Sequence, residues 1–344
     1  MAKKPKVLIV YTGGTIGMVK DYLTGALKAF DFSQILNKIP ELQQLQCDIE
    51  TVSFVQPIDS SNMNVQYYIE TAEIIAQNYT KFSGFVVLTG SDTMSYVSSA
   101  ISFMFENLQK PVIFTGSQLP IGDLRTDAKE NLITSIQIAA AQENNEPVIQ
   151  EVGLYFEYKL YRANRTTKIS AEQFEAFTSM NYPPLAKSGV HLNFNYPLLL
   201  RLKNKNKNLI FRKKLDNNVA ILKLFPGITE RAIRSFLHIK DLKGLVLETY
   251  GVGNAPTENW FLNLLSEFIN KGIYIVNITQ CSGGSVILGR YQTSASLQSI
   301  GLINGKDITC ETAIAKMMYL LGSNLTKEQF KEYFESSLRG EISA

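Results

Sequence analysis

Four short segments of the chain combine glycine or proline with small hydroxyl and carboxylate side chains. They are TGGTIG at 12–17, PIDSSNM at 57–63, LTGSDTM at 88–94 and FTGSQLP at 114–120. Such groups could supply a hydroxyl nucleophile together with a carboxylate that activates it. Taken singly, each segment is explained more simply by turns and helix caps, because Ser, Thr and Asp satisfy free backbone N–H groups there. A catalytic interpretation therefore depends on the four segments converging in space.

The first segment does not match the common phosphate-binding loops. YTGGTIG at 11–17 lacks the Lys and Ser/Thr that end a P-loop, and it does not have the GxGxxG spacing. Its two glycines alone indicate a tight turn with positive φ. The threonines on either side, Thr12 and Thr15, favour a turn that presents a hydroxyl group.

Few groups in the chain are available to activate a hydroxyl. The two histidines, His191 and His238, fall in none of the four segments, so a Ser-His-Asp triad is not expected and surface or helix-terminal positions are predicted for both. The base must then be a lysine or a carboxylate. Lys168 in NRTTKIS is a candidate because hydroxyls and small residues surround it, although most lysines are simply solvated.

The hydrophobic pattern predicts the elements that position these segments. Continuous apolar runs, typical of parallel strands buried on both faces, occur in KVLIVYTGG, GFVVLTG, PVIFTG and VGLYFEY. A helix is predicted after Asp92, a residue suited to a helix end, from apolar residues at helical spacing: Met94, Val97, Ile101, Met104 and Leu108. These features predict an α/β domain with right-handed βαβ connections and a ligand site in the loops that follow its strands.

A second α/β series follows the Lys/Asn-rich stretch KNKNKNLIFRKK at 203–214. It contains the strand candidates VAILKLF, GLVLETYG and YIVNITQ, with helices predicted near 228–238 and 257–271. The length of 344 residues also favours two domains. The predicted organisation is an N-terminal catalytic α/β domain, a linker and a smaller C-terminal α/β domain, at 1–192, 193–217 and 218–344.

Composition narrows the class of protein. Hydrophobic residues at 45% and charged residues at 19% are typical of a soluble globular chain. A net charge of +3 gives no nucleic-acid footprint, and no apolar stretch of about twenty residues predicts a membrane span. Three widely spaced cysteines indicate neither a disulfide framework nor a zinc site. The apolar run after MAKKP is too short for a secretory signal, so a cytoplasmic location is expected.

Five stretches of the chain resemble the type I, cytoplasmic branch of the bacterial L-asparaginase and glutaminase family. TGGTIG at 12–17 and GFVVLTGSDTM at 84–94 are similar to the two family signatures, and NRTTK, YGVGNAP and NITQC are similar to type I segments. The resemblance runs nearly end to end. It implies a two-domain asparaginase-like fold whose larger N-terminal α/β domain is mostly parallel. It also implies hydrolysis of L-asparagine to L-aspartate and ammonia, without a metal or organic cofactor.

The resemblance further implies roles for individual catalytic residues. Thr15 would be the nucleophile that forms the acyl-enzyme. Tyr22, on the segment after it, would close over the site and help to polarise the Thr15 hydroxyl. Ser91, Asp92 and Lys168 would form a second catalytic group that helps to deliver water.

Substrate contacts are likewise implied for Ser60, Ser61, Asp92, Ser117 and Asn254. Ser60 would hold the substrate carboxylate, Asp92 would hold its ammonium group, and Ser117 would contact the side-chain amide through its backbone. Asn254 matches a residue that the neighbouring subunit supplies in family members, although an ordinary turn asparagine explains it nearly as well. A homo-oligomer, either a dimer or a dimer of dimers, is therefore expected, with neither nucleic acid nor membrane as a partner.

The chain departs from the family pattern at two places. It has TGSDT where the family usually has HGTDT, with Thr89 for His and Ser91 for Thr, so we expect an altered rate or substrate preference rather than inactivity. Some type I members have an effector pocket for asparagine that includes an Arg just before YGVGNAP. Here that position is Glu248, although Thr167 and Cys281 match other parts of the pocket. Since an anion replaces a carboxylate-binding cation, non-cooperative hydrolysis is expected.

Two other functions stay open at this point. A glutaminase or broader small amidase is the nearest, because one methylene in the substrate changes discrimination by only about 1 to 3 kcal/mol. A catalytically silent amino-acid-binding protein is somewhat favoured by the TGSDT departure. Related subunits that make glutaminyl-tRNA carry an extra N-terminal domain, which is not expected here because Thr15 lies so close to the start.

Overall fold

A computed structural model describes residues 4–20, 27–29, 39–202, 206–289 and 292–343. The chain divides into two compact units, Met1–Lys213 and Lys214–Ala344. The boundary falls inside the segment 193–217 that the sequence predicts as a linker. Within that segment, Ile210–Phe211 pairs as a short strand with Phe105–Glu106 of the first unit.

The strands and helices of the described residues are as follows. The strands are β1 (Lys6–Gly13), β2 (Met18–Lys20), β3 (Leu27–Ala29), β4 (Asp48–Ile58), β5 (Gly84–Leu88), β6 (Phe105–Glu106), β7 (Val112–Thr115), β8 (Gln142–Glu143), β9 (Glu146–Pro147), β10 (Val152–Phe156), β11 (Lys159–Arg162), β12 (Thr167–Lys168), β13 (Phe177–Thr178), β14 (Ala186–Ser188), β15 (Leu192–Phe194), β16 (Ile210–Phe211), β17 (Val219–Lys223), β18 (Gly244–Thr249), β19 (Tyr274–Thr279) and β20 (Ile303–Asn304). The α-helices are α1 (Val65–Asn78), α2 (Met94–Met104), α3 (Ala128–Ala140), α4 (Glu230–Arg234), α5 (Asn259–Asn270), α6 (Gln292–Ser299), α7 (Cys310–Leu321) and α8 (Lys327–Glu335). Short 3₁₀ helices are formed by Thr15–Gly17, Pro40–Gln44, Ser60–Asn62, Ala163–Arg165, Tyr196–Leu198 and Ser235–His238.

The first unit is built on an eight-stranded sheet with the order β15-β14-β11-β10-β7-β5-β1-β4. Strands β4, β1, β5, β7 and β10 pair in parallel, and β10, β11, β14 and β15 continue the sheet antiparallel. Every residue of β5 and β7 is buried, as expected for parallel strands covered on both faces. The predicted mostly parallel N-terminal domain is therefore confirmed.

The register of the parallel strands brings three of the four polar segments to one edge of the sheet. Tyr11 of β1 lies opposite Leu88 of β5, and Leu88 lies opposite Thr115 of β7. The fourth segment joins the same edge because Gly13 lies opposite Ile58 at the end of β4. All four loops thus leave the sheet side by side, at the carboxyl ends of their strands.

The helix after the third segment is shorter than its apolar pattern indicates. It begins at Met94 and ends at Met104, and the chain then forms β6 and turns through Asn107, whose φ is +59°. Leu108 is buried but lies beyond the helix. The prediction that Leu108 continues the helical face is wrong, because the helix ends at Met104 and Phe105 already has an extended backbone that pairs with Phe211.

The second unit has a four-stranded parallel sheet with the order β17-β18-β19-β20. The helix predicted at 257–271 is α5, which buries Phe261, Leu264 and Phe268 against the unit's core. The helix predicted at 228–238 is α4 followed by a 3₁₀ turn, and Thr229 caps it by accepting the backbone N–H of Ala232. None of the helices in the described ranges is both long enough and apolar enough to cross a membrane.

A buried ion pair holds the C-terminal segment, residues 336–341, against helix α7 of this second unit. Lys316 of α7 and Glu341 are both fully buried, with Nζ and Oε1 2.5 Å apart. The ammonium group also donates to the backbone carbonyls of Phe334 and Ser336, at 2.8 and 2.6 Å. Glu341 accepts the backbone N–H groups of Leu338 and Arg339. Each charge is therefore fully compensated only while the C-terminal segment stays in place.

This arrangement predicts a large cost for removing one charge of the pair. Glu341→Gln leaves the Lys316 ammonium buried without its counter-charge, and we expect the free energy of unfolding to fall by about 3 to 5 kcal/mol. The measurement is guanidinium chloride unfolding of the intact chain followed by circular dichroism. Glu230→Gln, at an exposed pair with Arg234, is the matched control and should shift the midpoint little. Equal shifts for the two variants would contradict the prediction.

Candidate active site

The Thr15 hydroxyl is presented by a turn that requires two glycines. Gly13 and Gly14 have φ values of +136° and +88°, and Thr15 begins the 3₁₀ turn that follows them. A side-chain carbon on Gly13 would lie 2.1 Å from the carbonyl oxygen of Ile58, and one on Gly14 would lie 2.4 Å from the backbone nitrogen of Gly90. Both glycines are needed because the turn packs directly on the neighbouring loops. Thr15 itself is half-buried.

The Ser60 loop packs on the same point. Ser60 is buried, and a side-chain carbon on Gly90 would lie 2.4 Å from its hydroxyl oxygen. Thr93 donates its hydroxyl to the carbonyl oxygen of Ser60 at 2.9 Å. Asp59 caps the turn by accepting the backbone N–H and the hydroxyl of Ser61, both at 2.8 Å, which lowers the pKa of Asp59. The Ser61 hydroxyl is thus committed to Asp59, whereas Ser60 faces the glycine loops.

Ser91, Asp92 and Lys168 form a hydrogen-bonded group. Lys168 lies in β12, opposite Phe177 of β13, and its side chain is 17% exposed. Its ammonium group donates to Ser91 Oγ at 2.8 Å and to Asp92 Oδ1 at 2.6 Å. Since Lys168 offers only donors, the Ser91 oxygen accepts, and the Ser91 hydroxyl donates to Gln118 Oε1 at 3.2 Å. The group joins a cation, a carboxylate and a hydroxyl that could exchange a proton with a substrate.

Asp92 is not the cap of the helix that follows it. The N-cap residue of α2 is Thr93, and the Asp92 carboxylate pairs with Lys168 instead. The Asp92 side chain is 67% exposed, so this carboxylate is accessible from solvent. Its alternative interpretation as a helix cap is therefore wrong.

The fourth loop supplies Ser117 and an additional residue, Gln118. Ser117 is buried, and its hydroxyl donates to the carbonyl oxygen of Leu119 at 2.6 Å, which leaves its backbone as the group that can face a ligand. A side-chain carbon on Gly116 would lie 2.4 Å from the carbonyl oxygen of Thr89, so this loop packs on the third one. Sequence reasoning missed Gln118, although its position directly after Ser117 was a usable signal.

Thr89, which stands where the family usually has His, is buried at the base of these loops. Its backbone N–H donates to Thr115 at 3.1 Å and continues the pairing of β5 with β7. Its hydroxyl is buried and has no hydrogen-bond partner among the residues that the structure describes. Thr89 therefore takes part in the sheet through its backbone, and among the described residues its hydroxyl has no hydrogen-bond partner.

The remaining predicted residues are Tyr22, Asn254 and the two histidines. Tyr22 lies outside the described residues. Asn254 belongs to the second unit, where its backbone pairs with Tyr250 through two hydrogen bonds. His191 and His238 are exposed, in agreement with the surface or helix-terminal positions predicted for them. Over the described ranges, no group of three or more His, Cys, Asp and Glu residues could hold a metal ion.

Glu248, which stands where some type I members have the Arg of an effector pocket, lies on β18 of the second unit. Its carboxylate is largely buried, and Oε2 is 3.6 Å from the ammonium group of Lys223. Burial, reinforced by the nearby Glu248 carboxylate, raises the pKa of the Cys310 thiol. The surroundings of Glu248 within this unit therefore suit a cation better than the carboxylate of an amino acid.

Comparisons with known proteins agree with this architecture. Residues 6–200 match the model of the asparaginase N-terminal domain, and residues 218–334 match that of the glutaminase/asparaginase C-terminal domain. The chain belongs to the asparaginase family. L-asparaginase 1 of Escherichia coli strain K12 is 39% identical to this family member over 342 residues, which cover 99% of this chain and 98% of the relative.

Two further relatives also match nearly the whole of this chain. The crystal structure of L-asparaginase I from Vibrio cholerae has a TM-score of 0.91 and 38% identity, covering 99% of this chain and 100% of that one. The 60 kDa lysophospholipase of Mus musculus is 37% identical over 99% of this chain, which spans 63% of that protein. The resemblance to the asparaginase family and the predicted two-domain fold are thus confirmed.

A group of acidic residues in the first unit of this asparaginase fold includes Glu157, Asp127, Glu130 and Glu175. Glu157 lies in the hairpin turn between β10 and β11 with a φ of +40°, is 7% exposed, and donates its backbone N–H to Asn131. Burial, together with the negative charges of Asp127, Glu130 and Glu175, raises the pKa of Glu157 from 4.5 to about 7. Between these pH values the folded chain holds a proton that the unfolded chain has released, so stability falls as pH rises through this window.

Glu157→Gln should therefore stabilise the protein in a pH-dependent way. We expect its melting temperature to exceed that of the wild type at about pH 8, where the Glu157 carboxylate is charged, and the difference to shrink at about pH 5, where it is protonated. The check is thermal unfolding of both proteins at the two pH values. Glu143→Gln, on an exposed strand, is the control. A difference that stays the same at both pH values would contradict the assigned cause.

Proposed function

We propose that this enzyme hydrolyses L-asparagine to L-aspartate and ammonia through an acyl-enzyme on Thr15. The supporting observation is the Ser91, Asp92 and Lys168 group beside the glycine turn that presents Thr15. A nucleophile on one loop and a proton-transfer group on the next are what a two-step acyl transfer requires. The relatives named L-asparaginase, which this chain matches nearly end to end, support the choice of asparagine.

In the first step, Thr15 Oγ attacks the side-chain carboxamide carbon of the substrate. The Thr15 proton passes to the amide nitrogen, the carbon–nitrogen bond breaks, ammonia leaves and an ester remains. The negative charge that develops on the carboxamide oxygen is assigned to backbone N–H donors of the glycine loops around Gly14 and Gly90. Each such donor is typically worth about 3 kcal/mol of barrier lowering.

In the second step, water attacks the ester carbon. A new carbon–oxygen bond forms, the bond to Thr15 Oγ breaks, and a proton from water restores the Thr15 hydroxyl by way of Ser91. The Lys168 ammonium group supports this transfer because its hydrogen bond to Ser91 Oγ stabilises negative charge on that oxygen. Asp92 in turn holds the Lys168 ammonium group in place.

The substrate is zwitterionic and needs one group for each of its charges. We assign its carboxylate to the buried Ser60 hydroxyl with the neighbouring Ser61 backbone, and its ammonium group to the exposed Asp92 carboxylate. The backbone of Ser117 is assigned to the side-chain amide. These assignments follow the family resemblance and are supported by the packing of Ser60 on Gly90 and of Gly116 on Thr89.

The cellular setting and assembly are part of the same proposal. We propose a cytoplasmic enzyme that assembles as a homodimer or a dimer of dimers, with Asn254 reaching the active site of the neighbouring subunit. Sedimentation velocity at working concentration tests the assembly. A monomer that turns over asparagine at the full rate, with no loss of rate in Asn254→Ala, would contradict this part.

Thr15 provides the direct test of the reaction. Wild-type protein should release ammonia from L-asparagine faster than from L-glutamine or D-asparagine. Thr15→Val should lose activity by on the order of 10⁴-fold or more, because the nucleophile is gone, while Thr15→Ser should keep part of it. The matched control is Thr12→Val, whose hydroxyl only donates to the carbonyl of Leu88 inside the fold. No ammonia from any of these substrates would instead favour an amino-acid-binding protein.

The Glu248 position predicts the shape of the saturation curve. Because a carboxylate stands where an effector carboxylate would need a cation, initial rates should rise hyperbolically with asparagine, with a Hill coefficient of about 1. The measurement is the initial rate of ammonia release over a wide range of asparagine concentration. A clearly sigmoidal curve would show that an effector site persists.

A further inference from the structure

We propose that Gln118, held by the carboxylate of Asp127, is a positioning residue that fixes the direction of the Ser91 hydroxyl. This inference rests on the proposed function, in which the Ser91 oxygen transfers a proton. It assigns to the loop 116–120 a task beyond contacting substrate.

The side-chain amide of Gln118 has a defined orientation. Its Nε2 donates to the backbone carbonyl oxygen of Gln173 at 3.1 Å. A carbonyl oxygen only accepts, so the nitrogen must face Gln173 and the oxygen must face Ser91. The Ser91 hydroxyl, 3.2 Å from Gln118 Oε1, can therefore only donate in this contact.

Lys168 imposes the same polarity from the other side. Its ammonium group donates to Ser91 Oγ and cannot accept the Ser91 proton while it is charged. The Ser91 hydroxyl thus donates to Gln118, accepts from Lys168 and keeps one lone pair for a third partner. In the second step that partner is the attacking water, whose proton Ser91 accepts at this lone pair while its own proton leaves Gln118 Oε1 for Thr15 Oγ. Without Gln118 the hydroxyl would be free to rotate, and the lone pair would lose its fixed direction.

Asp127 anchors the backbone of Gln118. It stands at the N-cap position of α3, yet its side chain does not cap the backbone N–H groups of the first turn of that helix. Its carboxylate accepts the backbone N–H groups of Gln118, at 2.9 and 3.1 Å, and of Leu119, at 3.1 Å. Asn131 donates to the same carboxylate at 3.2 Å and to the carbonyl oxygen of Gly116 at 3.1 Å.

Asp127 is buried, so its hydrogen bonds to Gln118 and Leu119 constrain the backbone of the loop 116–120. Asp127 is 5% exposed and Gln118 and Leu119 are partly buried, so water would replace only in part the hydrogen bonds of the donors that it releases. Two consecutive N–H groups bound to one carboxylate fix the orientation of both peptide planes. The Gln118 side chain therefore starts from a fixed point, and its terminal amide is held at the other end by Gln173.

The decisive experiment compares two variants of Gln118 with a matched control. Gln118→Met keeps the length of the side chain and removes both polar contacts, so kcat for asparagine should fall by about 10- to 100-fold with little change in KM. Gln118→Glu keeps an acceptor for Ser91 but loses the donor to Gln173, so its kcat should fall less than that of Gln118→Met. Gln66→Met, on an exposed helix position, should change neither kcat nor KM.

The outcomes separate this inference from the proposed function. If wild type hydrolyses asparagine and Gln118→Met keeps its kcat, the positioning role is overturned and the proposed function stands. If wild type releases no ammonia, the proposed function fails, and Asp127→Asn then tests the anchor by amide hydrogen exchange of residues 116–120. Exchange should be faster in Asp127→Asn than in wild type, and unchanged exchange would overturn the anchor.

Discussion

The close packing of glycine backbones at the carboxyl edge of the parallel sheet is the constraint on which the site depends. Gly14 contacts Gly90, Gly90 contacts the Ser60 hydroxyl, and Gly116 contacts the carbonyl of Thr89. A side-chain carbon added to any of these three glycines would lie 2.4 Å from the atom that the glycine contacts. Parallel pairing of β1, β5 and β7 brings these loops side by side. Only residues without a Cβ allow the loops to close the remaining gap, so the loops that carry Thr15, Ser60, Ser91 and Ser117 are in direct contact.

This packing distributes the chemistry over separate pieces of chain. The proposed nucleophile Thr15 comes from the loop after β1, the proposed proton-transfer residue Ser91 from the loop after β5, and its partner Lys168 from β12, which belongs to a separate two-stranded ribbon. No single segment holds a complete catalytic group. Each loop must therefore be held in position by contacts of its own. The carboxylates of Asp59 and Asp127 provide such contacts, because they accept backbone N–H groups of their own loop or of a neighbouring one.

Much of this arrangement could be predicted from the sequence, and the remainder depended on contacts between distant residues. Continuous apolar runs predicted the parallel strands, and the polar segments after them predicted the place of the site. Lys168 was a candidate from its local surroundings alone, but its partners lie about eighty residues earlier in the chain, at Ser91 and Asp92. Asp92 was open to interpretation as a helix cap for that reason. Gln118 and Asp127 escaped notice because a hydrogen bond from a side chain to a loop nine residues away leaves no periodic pattern.

The most direct test of the central claim is to identify the residue that carries the acyl group. Lys168→Met should slow the hydrolysis of the acyl-enzyme, so that this intermediate accumulates. The variant is mixed with L-asparagine and quenched in acid, and its peptides are then analysed by mass spectrometry. The account predicts an added aspartyl group on the peptide that contains Thr15, released as aspartate when the pH is raised. An aspartyl group on the peptide that contains Ser91, with none on the Thr15 peptide, would contradict it.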